Sequence, residues 1–145
     1  MRTTRRLALS AAALAAALAL GAGTASTAPA ASQAFRTPSG NLHCIWFSSP
    51  TSYLRCDIRS GLKPMPRRPA SCDFDWGHGL FMTRRSIVRV VCAGDSAIVP
   101  GSPVLRYGFQ WKRGGFTCVS RRAALTCTNA AGHGFRLAKR SWERF

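Results

Sequence analysis

Three histidines, His43, His78 and His133, are the side chains whose ordinary pKa lies closest to neutral pH, and two of them stand between glycines. One stretch reads Trp76-Gly77-His78-Gly79-Leu80-Phe81 and a later one Gly132-His133-Gly134-Phe135. Beside a carboxylate, an imidazole has its pKa raised and its tautomer fixed, which general acid–base chemistry requires. His78 follows Asp75 by three residues and Asp73 by five, and a further carboxylate occurs in Gly94-Asp95-Ser96. A small, nuclease-like hydrolase built from these residues would use His133 or His78 with Asp75 or Asp95. The plainer reading is structural, because a glycine on each side of a residue signals positive φ or close approach to another strand.

Other chemistries fit less well. No two histidines share a close ligand spacing and the cysteines are better explained as disulfides, so neither a metal nor a cofactor is expected. Gly94-Asp95-Ser96 and Asp75-Trp76-Gly77-His78 echo the nucleophile and Asp-x-x-His blocks of SGNH-type esterases. Their order along the chain is reversed, however, and the helices of that fold are missing. Small secreted ribonucleases usually pair a catalytic Glu with a His, whereas this chain has one Glu, Glu143, two residues from its end.

Charge carries a clearer message. The chain begins with a basic stretch holding Arg2, Arg5 and Arg6, then an Ala/Leu run from Leu7 to Gly23, then small residues. That pattern is a secretory signal over residues 1–34, with cleavage expected near Ala30 or Ala34. The Arg5-Arg6 pair leaves the general and twin-arginine routes both open. Removing the three leader arginines leaves 18 Lys and Arg against 5 Asp and Glu, a balance of +13. A surface of this kind seeks anionic cell-envelope polymers or lipid headgroups, with nucleic acid less favoured. Arg84, Arg85, Arg121, Arg122 and Arg136 are the candidate ligand-binding cations. No transmembrane span is expected in the mature chain, which is read as a monomer. A non-enzymatic binding domain is therefore the leading function, ahead of the hydrolase and of a toxin or inhibitor that acts on another protein.

These residues must be positioned by a single domain over residues 35–145, and its pattern is β. The alternation Leu105, Tyr107, Phe109, Trp111 against Arg106, Gln110, Lys112 predicts a half-buried strand over Val104–Lys112. Arg113-Gly114-Gly115 then predicts a turn. A second run, Ile87–Cys92, follows a turn at Arg84-Arg85-Ser86. Three prolines keep Lys63–Pro69 out of any sheet, and Ala138–Arg144 is expected to form a short helical turn. The fold class is all-β, a small disulfide-braced antiparallel sandwich or partly open barrel of about seven or eight short strands.

Six cysteines in an exported chain imply up to three disulfides. Leu42-His43-Cys44-Ile45-Trp46 returns as Leu54-Arg55-Cys56-Asp57-Ile58, and Phe116-Thr117-Cys118 as Leu125-Thr126-Cys127. Folding the second pair about Arg122-Ala123 sets Cys118 opposite Cys127 at a non-hydrogen-bonded position, close enough for a disulfide. Folding the first about Pro50 sets Cys44 opposite Cys56, Trp46 opposite Leu54 and Leu42 opposite Ile58. The remaining pair is Cys72–Cys92. The same register places His43 and Asp57 opposite each other, on the face away from the sulfurs, as a surface cross-strand pair.

The ordered motifs Thr37-Pro38-Ser39-Gly40-Asn41, Cys72-x-x-Asp75-Trp76-Gly77, Cys92-x-Gly94-Asp95-Ser96, Thr126-Cys127-x-Asn129 and Gly132-His133-Gly134-Phe135 resemble a known family. It is a secreted, six-cysteine domain family of unknown function, found chiefly in actinobacteria. The resemblance runs from Phe35 onward and implies export and a shared small fold. It implies no reaction and no catalytic residues. One departure is Ala123-Ala124, where a Gly is expected in the hairpin turn.

Overall fold

The computed structural model describes residues 31–145. The expected leader lies outside them except for its last four residues. Ten strands form two antiparallel sheets of five. The first sheet holds β1 (Ser32–Arg36), β2 (Leu42–Phe47), β3 (Tyr53–Ile58), β4 (Trp76–Thr83) and β5 (Arg89–Cys92). The second holds β6 (Gln110–Arg113), β7 (Phe116–Ser120), β8 (Leu125–Thr128), β9 (Gly134–Leu137) and β10 (Trp142–Arg144). Each sheet is a meander in which every strand pairs with its sequence neighbour.

Alternation explains why these sheets stack. Leu42, Cys44 and Trp46 of β2, Leu54, Cys56 and Ile58 of β3, and Leu80 and Met82 of β4 point to one side and are buried. They meet Phe116 and Cys118 of β7, Leu125 and Cys127 of β8, and Phe135 and Leu137 of β9 in one core. Two inward apolar faces packed on each other make a β sandwich. At one open side Trp111 of β6 packs on Phe35 of β1, with ring centroids 5.1 Å apart, and donates from its indole to Gln33. At the other, Arg144 of β10 reaches the Val88 carbonyl just before β5.

Cystines join Cys44–Cys56 and Cys118–Cys127, as expected from the hairpin registers, and Cys72–Cys92, the pair that remained. The first and third join directly opposed residues with Cα atoms 4.0 and 4.1 Å apart. The turn at Arg122-Ala123 forms without glycine, Arg121 N–H donating to the Ala124 carbonyl. Three expectations need correction. Among the described residues there are ten strands rather than about seven or eight. Ala138–Arg144 is not helical: the chain turns, with Ala138 N–H bonded to the Ser141 carbonyl, and returns as β10. The strand expected over Val104–Lys112 survives only as β6. Gly108, at φ +88°, breaks it, and Phe109, which the alternation placed in the core, is turned out to solvent.

The sheets also repeat one another. In each, a cystine joins the second and third strands and a Gly-His-Gly opens the fourth. Cys56 faces Leu80 and Asp57 faces Gly79 in the first sheet; Cys127 faces Phe135 and Thr128 faces Gly134 in the second. Gly77 and Gly132 both take positive φ, +79° and +85°. Gly79 and Gly134 both lie against a neighbouring backbone: a Cβ there would sit 2.6 Å from the Cys56 oxygen and 2.5 Å from the Cys127 oxygen. The two glycines thus do separate jobs, one bending the chain and the other admitting the next strand.

Candidate functional site

On the outer face of the first sheet, the side chains between the core positions include those of His43, Arg55, Asp57 and Phe81. Segment 93–104 leaves β5, bonds Asp57 through Ala97 N–H and reaches Arg36 of β1 through the Ser102 and Pro103 carbonyls, with Ala97 and Ser102 buried. One side chain holds the segment down. Arg55 donates from Nε and Nη2 to the two carboxylate oxygens of Asp57, at 2.9 and 2.8 Å. It also donates from Nη1 to the Asp95 carboxylate and from Nη2 to the Asp95 carbonyl, both at 2.6 Å. Asp57 in turn accepts from Ala97 N–H at 2.8 Å. The Asp57 side chain is 6% exposed, so its charge needs these partners.

The clasp also sets the electrostatics. Burial pulls the Arg55 pKa down, but the hydrogen bonds and charges of Asp57 and Asp95 outweigh it and hold the guanidinium above its ordinary value. The hydrogen bond from Arg55, and then its charge, hold the Asp95 carboxyl below the usual carboxylate range. Gly79 makes room for the arrangement, since a Cβ there would collide with the Asp57 carboxylate.

Beside this clasp lies a cleft of about 430 Å³, lined by Arg55, Asp57, Arg59, Asp75, His78, Asp95 and the apolar Ile58, Val91 and Ile98. It brings a histidine, carboxylates and arginines together, as the hydrolase reading requires. The parts are not joined, however: among the described residues His78 makes no ion pair or side-chain hydrogen bond with Asp75 or Asp95, and Arg55 is committed to its aspartates. His133 is elsewhere, in a separate hollow with Ile87, Val88, Arg144 and Phe145. The two Gly-His-Gly stretches therefore occupy equivalent places on opposite sheets and do not share a site.

His43 and Asp57 are cross-strand partners, but they are neither at the surface nor joined. Both are 5% exposed, His43 Nε2 lies 3.0 Å from the Gly40 carbonyl, and Asp57 is taken by Arg55. Segment 93–104 reaches Asp57 through Ala97 N–H, a contact that the register alone does not show.

The candidate cations separate into three places. Arg121 and Arg122, in the β7–β8 turn, line a cleft of about 360 Å³ with Lys139 from the β9–β10 turn and Thr37, Ser39 and Asn41 from the β1–β2 loop. Tyr107 forms part of its wall, with the Arg122 guanidinium 5.4 Å from the ring centroid. No carboxylate lines this cleft. Arg84 and Arg85 sit at the opposite end of the sandwich, in the β4–β5 turn with Thr51, Ser52 and Thr83. Arg136 lies on the outer face of the second sheet, 3.8 Å from Glu143. Lys139 escaped notice in the sequence because nothing local links it to Arg121, and Tyr107 was assigned with Phe109 to the core face of a strand. The end of a sandwich gathers turns from distant parts of the chain.

Among the described residues no three His, Cys, Asp or Glu side chains are grouped as a metal site, and no helix is long and apolar enough to cross a membrane. The model of DUF6636, a family of unknown function, matches residues 12–144. No curated protein and no solved structure matches the chain.

Proposed function

The chain belongs to DUF6636, a family without an assigned activity, and from its own geometry we propose that it is a non-enzymatic basic domain that binds anionic envelope material outside the cytoplasm. Three disulfides point to an oxidising, extracytoplasmic compartment. The observation that carries the reading is the carboxylate-free cleft of Arg121, Arg122 and Lys139. Three cations line it, and each can donate to an anionic oxygen. Across the described residues only Arg55 and Arg136, of eighteen Lys and Arg, meet a carboxylate. The remaining charge is free to attract a polyanion.

Soluble polyphosphate is a suitable probe. Replacing Arg121, Arg122 and Lys139 together by Gln should weaken binding by about a hundredfold, at roughly 1 kcal/mol per cation near an anionic surface. Arg84→Gln with Arg85→Gln, at the far end, should change it less than about threefold. Equal losses from both variants would mean that net charge, not the cleft, does the binding. Binding that persists undiminished at high salt would overturn the electrostatic reading.

The cleft on the first sheet supports a second reading, a small hydrolase that uses His78 with Asp75. RNA cleavage by the wild-type protein that disappears in His78→Ala would establish it.

A further inference from the structure

We infer that the end of the sandwich carrying Arg121, Arg122 and Lys139 docks onto an anionic lipid bilayer, with Phe109 entering the headgroup layer. The inference rests on the anion-binding reading of that cleft and names the source of the anions. It begins from the side chain that departs from the sequence pattern. Strand alternation directs Phe109 to the core, yet it is 60% exposed, because Gly108 at φ +88° reverses the chain one residue earlier. The exposure is built in. Gly108 N–H donates to the Ser120 carbonyl at 2.7 Å, Ser120 N–H donates to the Phe109 carbonyl at 3.0 Å, and Phe109 N–H donates to the Arg106 carbonyl at 3.1 Å. Two of these bonds tie the segment to Ser120, the last residue of β7 and next to Arg121, and the third closes the turn from Arg106 to Phe109.

What surrounds Phe109 identifies the partner. Arg106 is exposed in the same segment and Arg121 and Arg122 follow Ser120. Tyr107 lies under the Arg122 guanidinium and lines the cleft that also holds Lys139. No carboxylate lines that cleft. The aspartates Asp57, Asp75 and Asp95 line a different cleft, on the outer face of the first sheet, and Glu143 is beside Arg136. A soluble anionic polymer would be satisfied by the cations alone and gives no reason to hold a phenyl ring in water. A bilayer uses both, because interfacial binding sums apolar burial with attraction to anionic headgroups. An exposed aromatic beside a basic cleft that no carboxylate lines fits that surface.

The experiment compares two probes and two variants of the full mature chain. The probes are soluble polyphosphate and vesicles of phosphatidylcholine with about one-third phosphatidylglycerol. Wild type should bind both, and should bind pure phosphatidylcholine vesicles weakly. Phe109→Ser should lower vesicle binding by roughly tenfold, the loss of most of an aromatic burial, and leave polyphosphate binding unchanged. The Gln triple variant should lose both. Ring exposure means that Phe109→Ser should melt like wild type, which a thermal scan checks. If wild type binds polyphosphate but not the anionic vesicles, lipid docking is overturned while the anion-binding reading stands. The same holds if Phe109→Ser binds vesicles as wild type does. Failure to bind either probe removes both.

Discussion

A single methyl group tests the reading of the Gly-His-Gly stretches. At Gly134 an added Cβ meets the Cys127 backbone oxygen at 2.5 Å, and at Gly79 it meets the Cys56 oxygen at 2.6 Å as well as the Asp57 carboxylate. A backbone atom cannot swing aside, so the strands must separate. Gly134→Ala should cost about 1–3 kcal/mol, and Gly79→Ala at least as much. At Gly132 nothing lies within 4 Å, and only its φ of +85° is at stake, so Gly132→Ala should cost about 1 kcal/mol. Urea unfolding ranks the three, and an order with Gly132 most sensitive would refute the division of roles. At Asp95 the relevant variable is pH. Its folded pKa lies below the ordinary value of about 3.9, so the stabilisation from Arg55 is present above that value and lost as pH falls through the folded pKa. Segment 93–98 should then loosen in acid, seen as lower protection of the Ala97 amide relative to the unprotected exchange rate at each pH, since its N–H is held by Asp57. Asp95→Asn should show the looser state already at neutral pH and a flatter acid dependence.

Strands and cystines show where local pattern suffices. Both cystine-bearing hairpins were legible because each register follows from counting outward from its turn, and one face is apolar in that register alone. The strand Trp142–Arg144 was not legible: three residues hold too little alternation to distinguish a strand from a helical turn. Nor was the outer face of the first sheet. Whether Asp57 is wet or dry depends on segment 93–104, which has no period to read and is held by Arg55. Burial also separates the cystines. Cys44, Cys56, Cys118 and Cys127 are fully buried, whereas Cys92 is exposed on the edge strand β5. Attack by a thiolate needs access to sulfur. Mild reduction followed by alkylation and mass mapping should therefore label Cys72 and Cys92 first, with the other four protected until the sandwich unfolds. Simultaneous loss of all three cystines would contradict that order.

At the scale of the molecule, the first strand defines where the domain must begin. Ser32, Gln33 and Ala34 pair with Phe47, Trp46 and Ile45, and Ala31 is tied to Ser48 through two backbone–residue bonds. Cleavage after Ala34 would remove three of the five residues of β1, so processing after Ala30 is the expected outcome. N-terminal sequencing of protein recovered from the medium of an expressing culture should read Ala31 first, the outcome that the proposed export requires. The meander order of both sheets has a consequence for how such a chain matures. Cysteines pair as first with second, third with fourth and fifth with sixth along the chain, across separations of 12, 20 and 9 residues. A chain emerging N-terminus first into an oxidising space would present each partner before the next pair arrives. An oxidase that simply joins consecutive thiols as they appear would leave the native set, with nothing for an isomerase to correct.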